Sequence, residues 1–272
     1  MSAVLAGRTL INPSIPELTS LFPGYIEGVP VAWYGEGEAG KSIFMLQEAS
    51  WIAKCIGKNI LIVGTEGGED ILKDMWFPVF SKRFDSTQEC YVLDAQSMEE
   101  LLKVFGKKVE IKTSDKGKAD IIVTGTCDNK VSKLVTAHEI GIVIIDSLTM
   151  PFRTEFAGGR MNFAGRADAQ CLILGEVRRL SRKGVFALVS HHATVDPTNP
   201  YAKPAITGGK NILHNFKISL YIQKSKSTNI DKMRIRKLYL TRFFNKQGWR
   251  EFAKIQLVDE GFVFFADKTE EI

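Results

Sequence analysis

With 272 residues, 44% of them hydrophobic, the chain is long enough to enclose a sizeable core as a single α/β domain. No stretch approaches the roughly 18 apolar residues needed to cross a bilayer, and the four scattered cysteines, Cys55, Cys90, Cys127 and Cys171, fit neither a disulfide framework nor a zinc site, so a cytoplasmic protein with reduced thiols and no membrane partner is expected. The formal charge of +5 is unevenly spread: Lys203 to Arg250 holds 12 Lys and Arg against the single acid Asp231, a concentration suited to an anionic partner.

Residues 1–18 contain Pro13 and Pro16 and little periodicity; they read as an N-terminal arm ahead of a core over 19–266, with 267–272 as a C-terminal tail. The apolar run VPVAWYG (29–35) predicts a strand, and the segment after it, 41–57, repeats apolar residues at three and four as a helix does. NILIVG (59–64) is a second buried strand, YVLDA (91–95) a third leading into the helical SMEELLKVFG, and GIVIID (141–146) the strongest of all. A helix is expected over 167–182 and a strand at VFALVS (185–190). Strands apolar on both faces, alternating with helices, predict a mostly parallel central sheet flanked by helices. Two segments break the rhythm. Residues 108–125 alternate on either side of SDKGK and predict an inserted β-hairpin, and the region from Ile218 onward reads as antiparallel strands added at the C-terminal end.

The sequence GEGEAGKS fits G-x-x-x-x-G-K-[ST] and stands between a strand and a helix, as a phosphate-binding loop must. Gly35, Gly37 and Gly40 let the backbone turn so that the N–H groups of Glu36, Glu38, Ala39 and the residues through Ile43 converge on phosphate oxygens. Lys41 is placed for the β and γ phosphates and the Ser42 hydroxyl for Mg²⁺, so ATP with Mg²⁺ is the expected ligand. Such a loop works with a second metal-side acid at the end of a neighbouring apolar strand, and Asp146 closes GIVIID. Glu66, in TEGGED at the end of the second strand, is the candidate for orienting the attacking water. Glu69 and Asp70 compete with it, and the cluster could instead cap the next helix.

Beyond the loop, TEG (65–67), IIDSLTMPFRTEFAGGR (144–160) and ITGGKNILH (206–214) resemble the RecA/RadA recombinases, in particular the short archaeal RadA paralogues of the RadB and RadC kind. The resemblance implies a RecA-like ATPase core and DNA-dependent ATP hydrolysis. It also implies single-stranded or duplex DNA as a partner, a RadA-type recombinase or further copies of the chain as protein partners, and work at the nucleoid in recombinational repair. It places Lys41 and Glu66 in catalysis and Ser42 and Asp146 at the metal, with DNA-binding loops at about 157–166 and 193–207. Arg160, Phe163 and Arg166 in the first loop, with Tyr201 and Lys203 in the second, supply the cations and aromatic faces that single strands require. His214 matches a histidine near the neighbouring subunit's ATP, and Arg242 is a candidate trans-acting arginine.

The chain departs from the family where an Asn-Gln pair usually follows the strand VFALVS: it has His191 and His192, and His192 is the expected substitute for the γ-phosphate sensor. Its first-loop glycines and arginines are rearranged, as Gly158-Gly159-Arg160 and Gly165-Arg166, and an F-R-P-x-R adenine-flanking pattern is missing after TEG. Lys224, Lys226, Lys232, Arg234, Arg236 and Lys237 form a further basic strip that could serve DNA, a neighbour's ATP or solubility. A non-enzymatic ATP-binding regulator of a recombinase and a clock-type or helicase-type RecA-fold ATPase stay open as alternatives.

Overall fold

The computed structural model describes residues 7–113, 119–154, 163–195, 198, 202–207, 209–225, 227, 230–244, 246–247 and 252–266. The chain opens with two short strands, β1 (Leu10–Ile11) and β2 (Tyr25–Ile26), paired antiparallel around a 3-10 turn at Pro16–Ser20. From Ile11 onward the arm is packed: Ile11, Ile15 and Leu18 are buried in the same cluster as Trp33 and Phe44, and Trp51 donates to the Asn12 carbonyl at 3.0 Å.

The core then alternates as expected: β3 (Val31–Gly35), α1 (Lys41–Ile56), β4 (Asn59–Gly64) and a helical stretch made of α2 (Glu69–Ile71), a π-turn at Leu72–Trp76 and α3 (Phe77–Phe84). It continues through β5 (Cys90–Asp94) to α4 (Met98–Val104). Ser97 and Glu100 form a reciprocal capping box that starts α4 where the sequence pattern turns helical. The hairpin follows as β6 (Lys107–Thr113) and β7 (Ala119–Thr126), antiparallel and separate from the main sheet. Next come α5 (Lys130–Ala137), β8 (Ile140–Asp146), α6 (Met150–Thr154), α7 (Phe163–Ser181) and β9 (Phe186–Thr194). The C-terminal part holds β10 (Ala205–Ile206), α8 (Gly209–His214), β11 (Ile218–Lys224), α9 (Ile230–Met233) and β12 (Ile235–Phe243). It ends in β13 (Lys246–Gln247), β14 (Phe252–Val258) and β15 (Gly261–Phe264).

The main sheet runs β15-β14-β12-β11-β3-β9-β8-β4-β5. Successive residues of its central strands point to opposite sides, and both sides are apolar. Ala32, Val63, Val143 and Val189 lie in one buried cluster with α4 and α7, while Trp33, Ile62, Ile144 and Leu188 lie in the other with α1. This two-sided burial is why β8 reads as an unbroken apolar run. The C-terminal strands pair antiparallel with one another as expected, and β11 also joins the core by running parallel to β3. One strand boundary is corrected here. The strand at VFALVS runs on through His191 and His192, which are strand residues and do not follow it.

Parallel alignment brings the C-terminal ends of β3, β9, β8 and β4 to one edge of the sheet, where Gly35 is in register with His192 and Gly64 with Asp146. A ligand crevice in an open α/β sheet forms at such an edge.

Candidate nucleotide site

The loop between β3 and α1 runs from Gly35 to Gly40, and α1 begins at Lys41 with Gly40 as its N-cap at φ 90°. No side chain caps the helix, so its first-turn N–H groups, at the positive end of the 16-residue α1, are left facing the loop. That is the arrangement a phosphate requires. Lys41 is buried, and its ammonium donates to the carbonyls of Glu36 at 2.8 Å and Gly35 at 3.3 Å. Burial lowers its pKa, against the opposing charges of Asp146, Glu66 and Glu36.

Asp146, at the end of β8, is only 6% exposed. Burial raises its carboxyl above the ordinary value, while hydrogen bonds from Ser190 and Ser42 pull it back down. The Ser42 hydroxyl therefore lies near the Asp146 carboxylate across the gap between α1 and β8. Their hydroxyl and carboxylate oxygens are the hard donors that Mg²⁺ accepts, so the residues present fit the ion.

Glu66 lies past the end of β4. Its carboxylate meets His192 Nε2 at 3.3 Å, and this hydrogen bond, with another from Ser147, holds its pKa below the ordinary value. Glu66 is thus ionised at neutral pH. The turn that carries it is organised by Glu69, whose buried carboxylate accepts from the Glu66 N–H at 3.0 Å and the Gly68 N–H at 2.8 Å. Gly64 leaves room for this, since a Cβ there would stand 2.1 Å from the Glu69 Cδ. The three acids of TEGGED are thereby separated in role: Glu69 shapes the turn, Asp70 is exposed on α2, and Glu66 faces Lys41 and His192. The floor is closed by Thr65, whose hydroxyl accepts from the Ser147 N–H at 2.8 Å and donates to the Ser147 carbonyl at 2.7 Å.

His192 is also a junction. Its N–H donates to the Thr149 hydroxyl at 3.0 Å, and its carbonyl accepts from both the N–H and the hydroxyl of Thr207. Because β10 pairs with Thr194 and Ala193, the chain that leaves β9 returns to the same place. His191 points the other way into the core, against Phe216, with neither ring nitrogen hydrogen-bonded. Burial pushes its pKa down to about 3.

The remaining candidates are distributed differently. Lys203 and His214 are exposed. Arg242 is 7% exposed, and its guanidinium donates to the carbonyls of Leu213 at 2.8 Å and Phe244 at 3.2 Å, so it is committed within its own subunit. Arg160 and Tyr201 lie outside the described residues, as do the side chains of Phe163 and Arg166, although the last two belong to α7. The basic strip is not one face: Arg236 is turned inward and Lys224 is paired with Glu38, while Lys232, Arg234 and Lys237 are exposed. Ser190 and Thr65 escaped the sequence reading as site residues, and Glu69 entered it only as a rival to Glu66. The signal for Ser190 was a hydroxyl ending an apolar strand run.

A family model described as an AAA domain matches residues 2–197, well over half the chain. The chain belongs to the AAA domain family. None of the curated proteins compared with this AAA family member matches it. A solved structure described as "Crystal structure of the RadB recombinase" superposes with a TM-score of 0.62 at 17% identity, covering 93% of this chain and 98% of that one. Its RecA-like fold is the fold of this AAA protein, which bears out the resemblance read from TEG, IIDSLTMPFRTEF and ITGGKNILH at the level of architecture.

Proposed function

We propose that this AAA family member is a Mg²⁺-dependent ATP hydrolase that binds DNA, single-stranded DNA by preference, and acts in recombinational repair. The observation that carries the reading is the convergence of Lys41 and Ser42 from α1 with Glu66, Asp146 and His192 from the ends of three strands, β4, β8 and β9, onto a single sheet edge. Ser42 and Asp146 would hold Mg²⁺, which when bound neutralises charge on the phosphate oxygens. Lys41 and the first-turn N–H groups of α1 bind the phosphates and offset the charge that develops on them. Glu66, ionised and fixed by the Glu69 turn, accepts a hydrogen bond from the attacking water.

His192 connects this chemistry to the segment after β9, the expected second DNA loop. It contacts Glu66 through its ring and ties both ends of that segment through its backbone, so a ligand that moves the loop also moves the partner of Glu66. By linkage, nucleotide alters DNA affinity by the same factor as DNA alters nucleotide affinity. The RecA-like fold shared with the RadB recombinase and the basic C-terminal region support DNA as the ligand.

The test is ATP turnover with and without single-stranded DNA, for the unaltered chain, Lys41→Ala and Glu66→Gln. The reading requires Mg²⁺-dependent turnover that rises with DNA. It also requires a loss of about 10²-fold or more in Glu66→Gln with nucleotide binding retained. An unaltered chain that binds ATP without hydrolysing it under either condition would leave a static ATP-binding regulator as the function.

A further inference from the structure

The AAA family match ends at residue 197, yet the candidate phosphate loop is contacted by residues that come later. Lys224, the last residue of β11, places its ammonium 2.9 Å from the Glu38 carboxylate. Arg236 on β12 is 7% exposed and donates from Nε to the Ala39 carbonyl at 2.9 Å, while its Nη1 donates to the carbonyls of Met233 and Ile235. Phe262 on β15 lies against Gly40 so closely that a Cβ there would be 2.7 Å from the ring. Phe262 is fastened in turn to α1 by Gln47, whose side chain exchanges hydrogen bonds of 2.7 and 3.0 Å with its backbone. Three consecutive loop residues, Glu38, Ala39 and Gly40, are thus each held by a different C-terminal strand.

Charge explains why two of these contacts are cationic. The loop that must accept a polyanion itself carries the carboxylates of Glu36 and Glu38, and like charges a few ångströms apart repel. The ion pair with Lys224 holds the Glu38 carboxyl below its ordinary pKa, so the group is anionic whenever nucleotide arrives. The Ala39 carbonyl is a second negative pole in the loop, and the Arg236 fork turns it toward the sheet. With both groups fixed, the loop's N–H groups are left to face the anion.

We propose that Lys224 and Arg236 are positioning residues of the nucleotide site: Lys224 neutralises and restrains Glu38, and Arg236 anchors the Ala39 carbonyl, so the phosphate loop depends on strands outside the region the family model matches. The inference rests on the reading of Gly35–Ser42 as a nucleotide loop.

It is tested by titrating the protein with a fluorescent ATP analogue and Mg²⁺ at low ionic strength, for the unaltered chain, Lys224→Met, Glu38→Gln and the double variant. Lys224→Met should weaken binding about fivefold, an effect that shrinks with added salt because it is electrostatic. The double variant should bind as Glu38→Gln does, since Lys224 acts only through Glu38. Equal affinity of Lys224→Met and the unaltered chain overturns the proposal, and so does a double variant as weak as Lys224→Met. For Arg236 the variant is Arg236→Lys, which keeps the charge and loses the fork. With near-UV circular dichroism unchanged, its KM for ATP should rise about tenfold while kcat moves less than about twofold. An unchanged KM overturns the Arg236 part. If the unaltered chain binds no nucleotide, the underlying reading fails; if it does and the variants match it, this inference alone falls.

Discussion

Glu48 offers a measurement of how the N-terminal arm is joined to the helix behind the phosphate loop. The residue is fully buried on α1, where its carboxylate accepts from the Ser14 N–H at 3.1 Å, from the Ser14 hydroxyl and from Tyr25, with Arg83 the cation acting on it. Burial outweighs these partners and pushes the carboxyl from 4.5 up to about 7. Tyr25 is held well above its ordinary value of 10.0, so it does not titrate in the same window. At 1.36 kcal/mol per pH unit, the distance from 4.5 to 7 is worth about 3 kcal/mol. The sign follows from which form the fold favours. A raised pKa means that the folded chain prefers the protonated acid, so the contribution is fully present below 4.5 and is lost as pH rises toward 7.

Glu48→Gln replaces the acid with a neutral side chain of nearly the same shape. Urea unfolding of both proteins across this window should show the variant gaining about 3 kcal/mol on the parent between the acid and neutral ends. Taking the difference between the two proteins cancels the other titrating groups. A stability difference that stays constant across the window would refute the reasoning, because Glu48 would then be titrating as a solvated glutamate.

Three further outcomes follow from the geometry. His191 is kept neutral by burial, its pKa pushed from 6.5 to about 3, so its contribution is present above 6.5 and lost as pH falls; His191→Leu should remove about 5 kcal/mol of acid destabilisation, read from unfolding curves at pH 3 to 7. Gly64→Ala drives a Cβ into Glu69 and releases the turn that aims Glu66, so steady-state kinetics should show kcat falling about 10- to 100-fold with nucleotide affinity little changed. Ser190→Ala removes a hydroxyl that hydrogen-bonds the buried Asp146 and favours its ionised form, and the Mg²⁺ concentration for half-maximal turnover should rise about tenfold in a metal titration.

The candidate phosphate loop, the acid proposed for the metal and the order of strands and helices were legible before any coordinates because each is a local pattern. Gly35 to Ser42 is contiguous, Asp146 ends an apolar run, and the alternation of periods 2 and 3.6 marks each element by itself. The inserted hairpin was readable for the same reason. The parallel entry of β11 beside β3 was not, because pairing partners leave no mark in the pattern of a single strand.

What only the tertiary structure decided was how nearby alternatives divide their roles. TEGGED holds Glu66, Glu69 and Asp70 within five residues, and composition treats them alike; burial of Glu69 beneath the turn, made possible by the missing side chain of Gly64, separates the acid that shapes the site from the one that faces it. Ser190 supports Asp146 from 44 residues away, Lys224 reaches Glu38 across 186, and Arg236 reaches Ala39 across 197. Hydrogen bonds and ion pairs act over a few ångströms in space, whatever the distance along the chain. The amino-acid order therefore determined which groups are candidates for chemistry on phosphate, and the folded sheet determined which neighbours hold those groups in place and bias their charge state.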